Sequence, residues 1–201
     1  MIEPDNLPRE HARGSMVFVA GESGPLWRVT AGIVALQPQG NPDAQLVQVA
    51  IPGDLLGIES LCGRHYGLSA RALTACRLER VEPSDDADRF QLMRQALLQQ
   101  HDRGIDMAGL RTGPVSDRMV LLLQLLGHDW QALQSAPPRT IETIREGLPS
   151  LGDLARAIDA QRETVCRALG RLLPRTRPRR VRSVALATNT LVLAACSAAA
   201  S

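Results

Sequence analysis

Three charged side chains near the carboxyl end of the sequence, Arg162, Glu163 and Arg167, are of types that can read nucleic acid. An arginine can donate two hydrogen bonds to guanine O6 and N7, and a glutamate can accept one from the amino group of cytosine. If residues 162–172 form a helix whose apolar residues face inward, these three charges project from its outward face. The alternative interpretation is an ordinary surface helix with an ion pair between Glu163 and Arg167, which stand four residues apart.

The segment in front of these residues predicts the element that would position them. Ser150 followed by Asp153 is the pattern of a capping box, and the apolar residues of 151–158 share one helical face. The tripeptide at 159–161 then separates this helix from the next. Two short helices joined by about three residues are the helix-turn-helix plan. The small core of this unit is predicted to contain Leu154, Ala155, Ile158, Val165 and Leu169.

The octapeptide Arg162-Glu163-Thr164-Val165-Cys166-Arg167-Ala168-Leu169 resembles the recognition helix of the Crp/Fnr family, the cyclic-AMP receptor protein and its relatives. The resemblance implies that Arg162, Glu163 and Arg167 contact the bases of a TGTGA-type half-site and that Thr164 contacts a phosphate. Gln161 departs from the family, which usually has Ser or Thr capping this helix. The remaining DNA-binding residues that we predict are Gln161 itself, Arg171 on the outward face, and Arg179 and Arg180 in an arginine-rich segment at the place of the family's wing.

The distribution of charge agrees with a polyanion at one end of the chain. The net charge of the 201 residues is only +2, but residues 139–182 contain eleven arginines and five acidic residues. The preceding part of the chain carries more acidic than basic residues. A basic segment behind a mildly acidic body favours contact with DNA through the carboxyl-terminal part.

The cysteines give no metal-site signature, because none of the four forms a C-x-x-C pair. Cys62 with His65 could supply half of a metal or haem site, and the alternative is a buried thiol beside a surface histidine.

Unpaired thiols favour a cytoplasmic location, and the amino terminus lacks the apolar run of a secretory signal. The apolar stretch after Arg182 is too short and too polar for a membrane span, so we expect no membrane contact there but the last strand and helix of a domain.

The first third of the chain predicts a β-barrel or jelly roll, since short apolar runs alternate with glycines and prolines between residues 16 and 81. The turns at Gly21-Glu22, Gly32 and 52–57 resemble those of the Crp/Fnr β-roll. Residues 69–78 resemble the strand beyond its ligand pocket. The resemblance covers about residues 16–195. The predicted strands are 17–19, 27–29, 33–36, 46–51 and 77–81.

The resemblance also defines where an effector would bind. Cyclic-nucleotide-binding members carry a Glu and an Arg at the positions that Ile58 and Leu68 occupy here, so both ionic anchors are replaced by apolar residues. Burying an unpaired phosphate charge is costly, and cyclic AMP is not the expected effector. The segment 57–61 resembles the nitrogen-control branch, whose members sense 2-oxoglutarate. Residues predicted to line an effector pocket are Gly57, Glu59, Ser69, Arg71 and Arg103; the alternatives are surface or strand roles for the arginines and a regulator without effector.

A long helix is predicted over residues 86–112, capped by the acidic cluster that begins at Ser84 and broken by Gly113-Pro114. Such a length, about 40 Å at 1.5 Å per residue, suggests a dimer seam. Apolar residues at helical spacing are Phe90, Met93, Leu97, Met107 and Leu110. The alternative is a helix packed on its own β domain. A second amphipathic helix follows from Val115, and residues 136–138 are predicted to form a loop.

Together these patterns predict an α+β protein with an N-terminal β-roll (1–83), a long dimerisation helix (84–113) and a C-terminal winged helix-turn-helix domain (114–201). We expect a homodimeric, sequence-specific DNA-binding transcription regulator that is not an enzyme, with double-stranded DNA and RNA polymerase as partners. No cofactor is predicted with certainty. Two other functions remain open: a cupin-like small-molecule-binding protein, and an interaction module with a degenerate DNA-binding domain.

Overall fold

The computed structural model describes residues 8–40 and 45–174, and within them the chain is α+β. The strands are β1 (Arg9–His11), β2 (Met16–Phe18), β3 (Leu26–Ala31), β4 (Val34–Gln37), β5 (Gln48–Ala50), β6 (Leu55–Leu56), β7 (Ser69–Ala72) and β8 (Cys76–Val81). They form two four-stranded antiparallel sheets, with the orders β1-β8-β3-β6 and β2-β7-β4-β5. This confirms the predicted α+β class with a roll of strands at the front.

Strand alternation gives β4 and β7 two different faces. Val34 and Leu36 of β4, with Ala70 and Ala72 of β7, point into the core between the sheets. Ala35 points the other way, into a second core that the C-terminal helices complete. The outer face of this sheet is therefore covered by the rest of the chain instead of by solvent.

Tyr66 fills the inside of the roll between the short 3-10 helix at Ile58–Cys62 and β7. Its ring stacks on Phe18 with centroids 3.9 Å apart, and its hydroxyl donates to the Pro25 carbonyl at 2.7 Å. A Cβ atom on Gly24 would overlap the Tyr66 hydroxyl oxygen, and one on Gly57 would overlap the ring. The two glycines thus make room for the phenol, and burial raises the pKa of Tyr66.

The helical half begins with α1 (Asp86–Gly109), whose N-cap is Asp85, with a carboxylate that accepts from the Asp88 amide at 2.7 Å. The helix ends three residues earlier than predicted. It is followed by α2 (Val115–Leu125), α3 (Trp130–Gln134), α4 (Pro138–Gly147), α5 (Leu151–Ala157) and α6 (Arg162–Leu172). The loop predicted at 136–138 is wrong in part, because Pro138 is the first residue of α4, a position where proline is favoured.

Helix α1 is fastened to the roll by Gln99, which is buried. Its amide oxygen accepts from the Leu55 amide at 2.7 Å, and its amide nitrogen donates to the Leu55 carbonyl at 2.9 Å. The Gln99 side chain therefore completes the hydrogen bonding of the two-residue strand β6. One turn further, Arg103 donates to Asp54 at 2.8 Å in the turn before β6.

We predict that Gln99→Ala will destabilise the protein by about 1–3 kcal/mol for each of the two Leu55 backbone groups that it leaves buried and unpaired. Urea unfolding measures the loss. Gln91→Ala, an exposed change on the same helix, is the matched control and should stay within about 0.5 kcal/mol of wild type. Equal stability of the two variants would contradict the fastening role.

The largest apolar core joins the two halves of the chain. It contains Ile33, Leu46, Val49 and Leu73 from the roll together with buried residues of α1 to α6. The residues contributed by the helices include Met107, Leu110, Met119, Leu122, Leu123, Leu133, Ile141, Leu154, Ile158, Val165 and Leu169. The domain boundaries predicted from the sequence stay a prediction, since packing is continuous across them.

The apolar residues predicted at helical spacing on α1 are divided between two faces. Met107 and Leu110 are buried in the chain's own core, and a dimer seam on this helix stays a prediction. The exposed large apolar residues of α1 are Phe90 (65% exposed), Leu97 (71%), Leu98 (55%) and Ile105 (61%). They lie opposite the buried face of Leu92, Ala96, Gln99 and Met107, and we call these four exposed residues the α1 stripe.

Candidate nucleic-acid interface

Helices α5 and α6 form the predicted two-helix unit with the predicted core. Leu154, Ile158, Val165 and Leu169 are each at most 5% exposed. Ser150 is the N-cap of α5, and its Oγ accepts from the Asp153 amide at 3.1 Å. The predicted N-cap is therefore confirmed, and the Asp153 carboxylate accepts from the Ser150 hydroxyl at 2.7 Å.

The turn between the two helices is held by an arginine that the sequence analysis did not single out. Asp159 has φ +49°, a left-handed conformation that aspartate tolerates better than most residues. Arg118 of α2 donates from Nη1 to the Ile158 carbonyl at 2.6 Å and to the Asp159 carbonyl at 3.1 Å. The guanidinium thus occupies the carbonyls at the end of α5 and fixes the crossing of the two helices.

A second arginine, Arg145 of α4, holds the C-terminal end of α6. Its Nη1 donates to the Leu169 carbonyl at 3.2 Å and also to the Leu173 carbonyl. Cations at a helix C-terminus satisfy otherwise unpaired carbonyls and complement the helix dipole. No local motif marks Arg118 or Arg145, because their partners lie 24 to 41 residues away in sequence.

The outward face of α6 carries the predicted readers. Arg162, Glu163, Thr164, Arg167 and Arg171 are all exposed. Among the described residues none of their side chains has an ion-pair or hydrogen-bond partner, so the alternative Glu163–Arg167 ion pair is not formed there. Gln161 is the N-cap and makes no side-chain capping bond, as its departure from the Ser/Thr pattern implies. The predicted wing, with Arg179 and Arg180, lies outside the described residues.

The residues predicted for an effector pocket have separate partners. Arg71 Nη2 donates to Asp153 Oδ1 of α5 at 2.7 Å, whereas Arg103 is bound to Asp54 and Asp106. Both guanidiniums are therefore already matched with carboxylates, and the Asp54 and Asp106 carboxylates help raise the pKa of Arg103. An anionic effector would have to displace them.

The other three predicted pocket residues serve the local structure of the roll. Glu59 accepts from the Gly67 amide at 3.0 Å, and Ser69 Oγ accepts from the Ala20 amide at 3.0 Å. Gly57 has φ +69° and lies against the Tyr66 ring. The space that these residues border is filled by Tyr66, and their role as effector ligands stays a prediction.

The cysteines are free wherever the structure describes them. Cys62 and Cys166 are exposed and Cys76 is buried, where burial raises the pKa of its thiol. His65 Nδ1 pairs with Ser23 Oγ at 2.8 Å. In residues 8–40 and 45–174 no group of three or more His, Cys, Asp or Glu side chains is placed to hold a metal ion, and no helix there is long and apolar enough to cross a membrane.

Along the described part of the chain, a roll of eight strands is followed by a long helix and then by a helix-turn-helix. This order of elements defines the class of protein to which the chain is compared. No protein-family model matches the chain, and no curated protein matches it. Solved structures do match. TTHB099, a CRP-family transcriptional regulator from Thermus thermophilus, is 28% identical over 82% of this chain and 83% of its own, with a TM-score of 0.60.

Two further solved structures have the same fold. TTHA1359, a CRP/FNR-family transcriptional regulator from the same organism, is 25% identical over 83% of this chain and 85% of its own, with a TM-score of 0.55. FixK2 from Bradyrhizobium japonicum, 19% identical over 83% of this chain and 84% of its own, has a TM-score of 0.59 and supports the fold alone. These comparisons confirm the resemblance to the Crp/Fnr family of transcriptional regulators. The predicted place near the nitrogen-control branch stays a prediction.

Proposed function

We propose that this protein is a homodimeric transcription regulator that binds a pseudo-palindromic operator through α6. The observation that carries the proposal is the exposed outward face of α6, on which Arg162, Glu163 and Arg167 have no partner among the described residues. Arg118 holds the turn that precedes α6 and Arg145 holds the C-terminal end of α6, so the charges of α6 can be presented in a fixed orientation. The similar solved structures are described as transcriptional regulators.

The α1 stripe supports the dimer. Four large apolar side chains on one exposed helical face are typical of an interaction surface, and a second copy of the same helix would cover them. In such a dimer we expect two recognition helices one DNA turn apart, about 34 Å, as the family resemblance implies. RNA polymerase as a further partner is an expectation from the family resemblance.

We further propose that DNA binding needs no small-molecule effector. The interior of the roll is occupied by Tyr66, the anchor positions for cyclic AMP are Ile58 and Leu68, and Arg71 and Arg103 are matched with carboxylates. A cupin-like role has no comparable support, since no metal-ligating cluster occurs among the described residues.

The test is a titration of the protein against a duplex with two TGTGA-type half-sites and against a scrambled duplex, at two salt concentrations. We expect preference for the palindrome without ligand, with log K falling by about 0.9 per phosphate contacted for each unit of log salt. Weak binding to both duplexes that strengthens with 2-oxoglutarate or cyclic AMP would overturn effector independence. Weak binding under every condition would contradict the proposed operator.

Arg162→Ala is expected to weaken binding to the palindrome by about 1–3 kcal/mol and to relax the preference for guanine at one position. The cause is loss of a bidentate contact, so random DNA should be affected far less. Arg64→Ala, an exposed arginine of the roll, removes the same charge away from α6 and is the control. Equal losses of affinity on specific and random DNA would argue against base reading by Arg162.

A further inference from the structure

Within the part of the chain that the structure describes, a largely buried ion pair joins the roll to the helix-turn-helix. Arg71 lies on β7 opposite Ala35 of β4, on the face that is turned toward the C-terminal helices. Its Nη2 atom donates to Asp153 Oδ1 at 2.7 Å, and the side chains are 17% and 7% exposed. The two residues are 82 positions apart in sequence, so the pair joins the front half of the chain to α5.

Asp153 is held ionised at this place. Burial opposes the charge of the carboxylate, but hydrogen bonds from Ser150, Arg71 and Arg156 outweigh that effect and lower the pKa of Asp153. Ser150 and Arg156 belong to the same helical segment as Asp153. Among the described contacts of this carboxylate, Arg71 is therefore the one that comes from the roll.

The geometry of the pair favours a role in orientation over one in stability. A buried ion pair commonly contributes little net stability, because desolvation offsets the attraction, while its directional bonds can specify one arrangement. Asp153 stands in the first turn of α5, and α5 packs on α6 through Leu154 and Ile158. A change in the position of Arg71 is thus transmitted to α6 through a single helix.

We propose that Arg71 is a positioning residue for operator recognition, which fixes the helix-turn-helix on the roll and thereby sets the spacing between the two half-sites that a dimer reads. The proposal rests on the proposed function. Apolar contacts of the shared core hold the two halves together but have no preferred direction. The Arg71–Asp153 pair adds a polar contact with a defined direction, which a shift of α5 relative to β7 would break.

The spacer length of the palindrome can be varied to distinguish a positioning role of Arg71 from a general loss of stability. One base pair added to or removed from the centre of a palindrome moves a half-site by about 3.4 Å and rotates it by about a tenth of a turn. We would measure the affinity of wild type and of Arg71→Gln for a single half-site, for the optimal palindrome, and for palindromes one base pair longer or shorter. Arg77→Gln, which breaks the exposed Arg77–Glu10 pair of the roll, is the matched control.

Arg71→Gln is expected to keep the half-site affinity and to lose most of the preference for the optimal spacer, by roughly tenfold, which equals about 1.4 kcal/mol. Arg71→Lys should restore part of that preference, since it keeps the charge. Arg77→Gln should match wild type on every duplex. A wild-type spacer preference in Arg71→Gln would overturn the proposal, and so would an equal loss of affinity on the half-site and on all palindromes.

Hydrogen exchange gives a readout that does not need DNA. Arg71→Gln should raise the exchange of the α5 amides at 151–157 while leaving those of α2 at wild-type rates, and unchanged α5 exchange would overturn the proposal. If the wild-type protein binds no palindrome but α5 exchange rises as expected, the proposed operator function fails and the structural role of Arg71 stands.

Discussion

Leu97→Glu is expected to convert the proposed dimer into a monomer and to lower the affinity for the proposed palindromic operator by about 100-fold or more. Leu97 is the most exposed member of the α1 stripe at 71%, so the substitution does not disturb the chain's own core. In a dimer the two introduced carboxylates would be buried near each other, which strongly disfavours association. The affinity loss follows because a monomer forfeits the avidity of two linked half-site contacts, commonly about 100- to 10,000-fold.

Light scattering after size exclusion measures the oligomeric state, and titration of single and double half-sites measures the affinity. Leu97→Met, which retains an apolar side chain at the same place, is the matched control and should remain dimeric. The half-site affinity of Leu97→Glu should equal that of wild type. A stable dimer of the Leu97→Glu variant would show that the α1 stripe is not the dimer seam.

Leu123→Ala is expected to destabilise the protein by about 2–5 kcal/mol, the range for deletion of a fully buried leucine side chain. Leu123 has no exposed surface and belongs to the core that the roll and the C-terminal helices share. Val47→Ala, at a position 43% exposed, should change stability far less. Guanidinium unfolding gives both values, provided that the m-value stays constant.

The same core predicts that the two halves of the chain unfold together. Trp27 lies in β3 of the roll and Trp130 in α3, so each half contains one fluorescent reporter. In each of the variants Trp27→Phe and Trp130→Phe, the fluorescence of the remaining tryptophan should report the same unfolding midpoint as the circular dichroism of that variant. Two separated midpoints would mean that the shared core is not one cooperative unit.

Elements with local signals were predictable from the sequence. The start of α5 follows from the Ser150 cap, and the break at 159–161 separates α5 from the start of α6. Helix α1 begins at the predicted acidic cap. Strand β6 has only two residues, too few for an alternation to be recognised. Residues 69–78 resemble one strand of the family's roll, but here they are divided between β7 and β8 because a turn intervenes after Ala72.

Features that depend on distant partners could not be predicted. Periodicity places Met107 on a helical stripe but does not tell which of two apolar surfaces that stripe meets. The sequence offers Arg71 and Arg103 as candidate effector ligands, with surface or strand roles as the alternative, because a lone arginine in a sequence gives no sign of its partner. Their carboxylates lie 82 and 49 residues away, and only the folded chain brings them together.

The packing of Tyr66 gives the protein a built-in optical probe. The sequence contains a single tyrosine, so every phenolic absorbance change originates from the inside of the roll. Because the buried ring is stacked on Phe18 and burial raises its pKa, the midpoint of phenolate formation in the native protein should lie above the ordinary value of 10. Any molecule that enters the roll must move this ring, and spectrophotometric titration of one chromophore would detect its entry without a label.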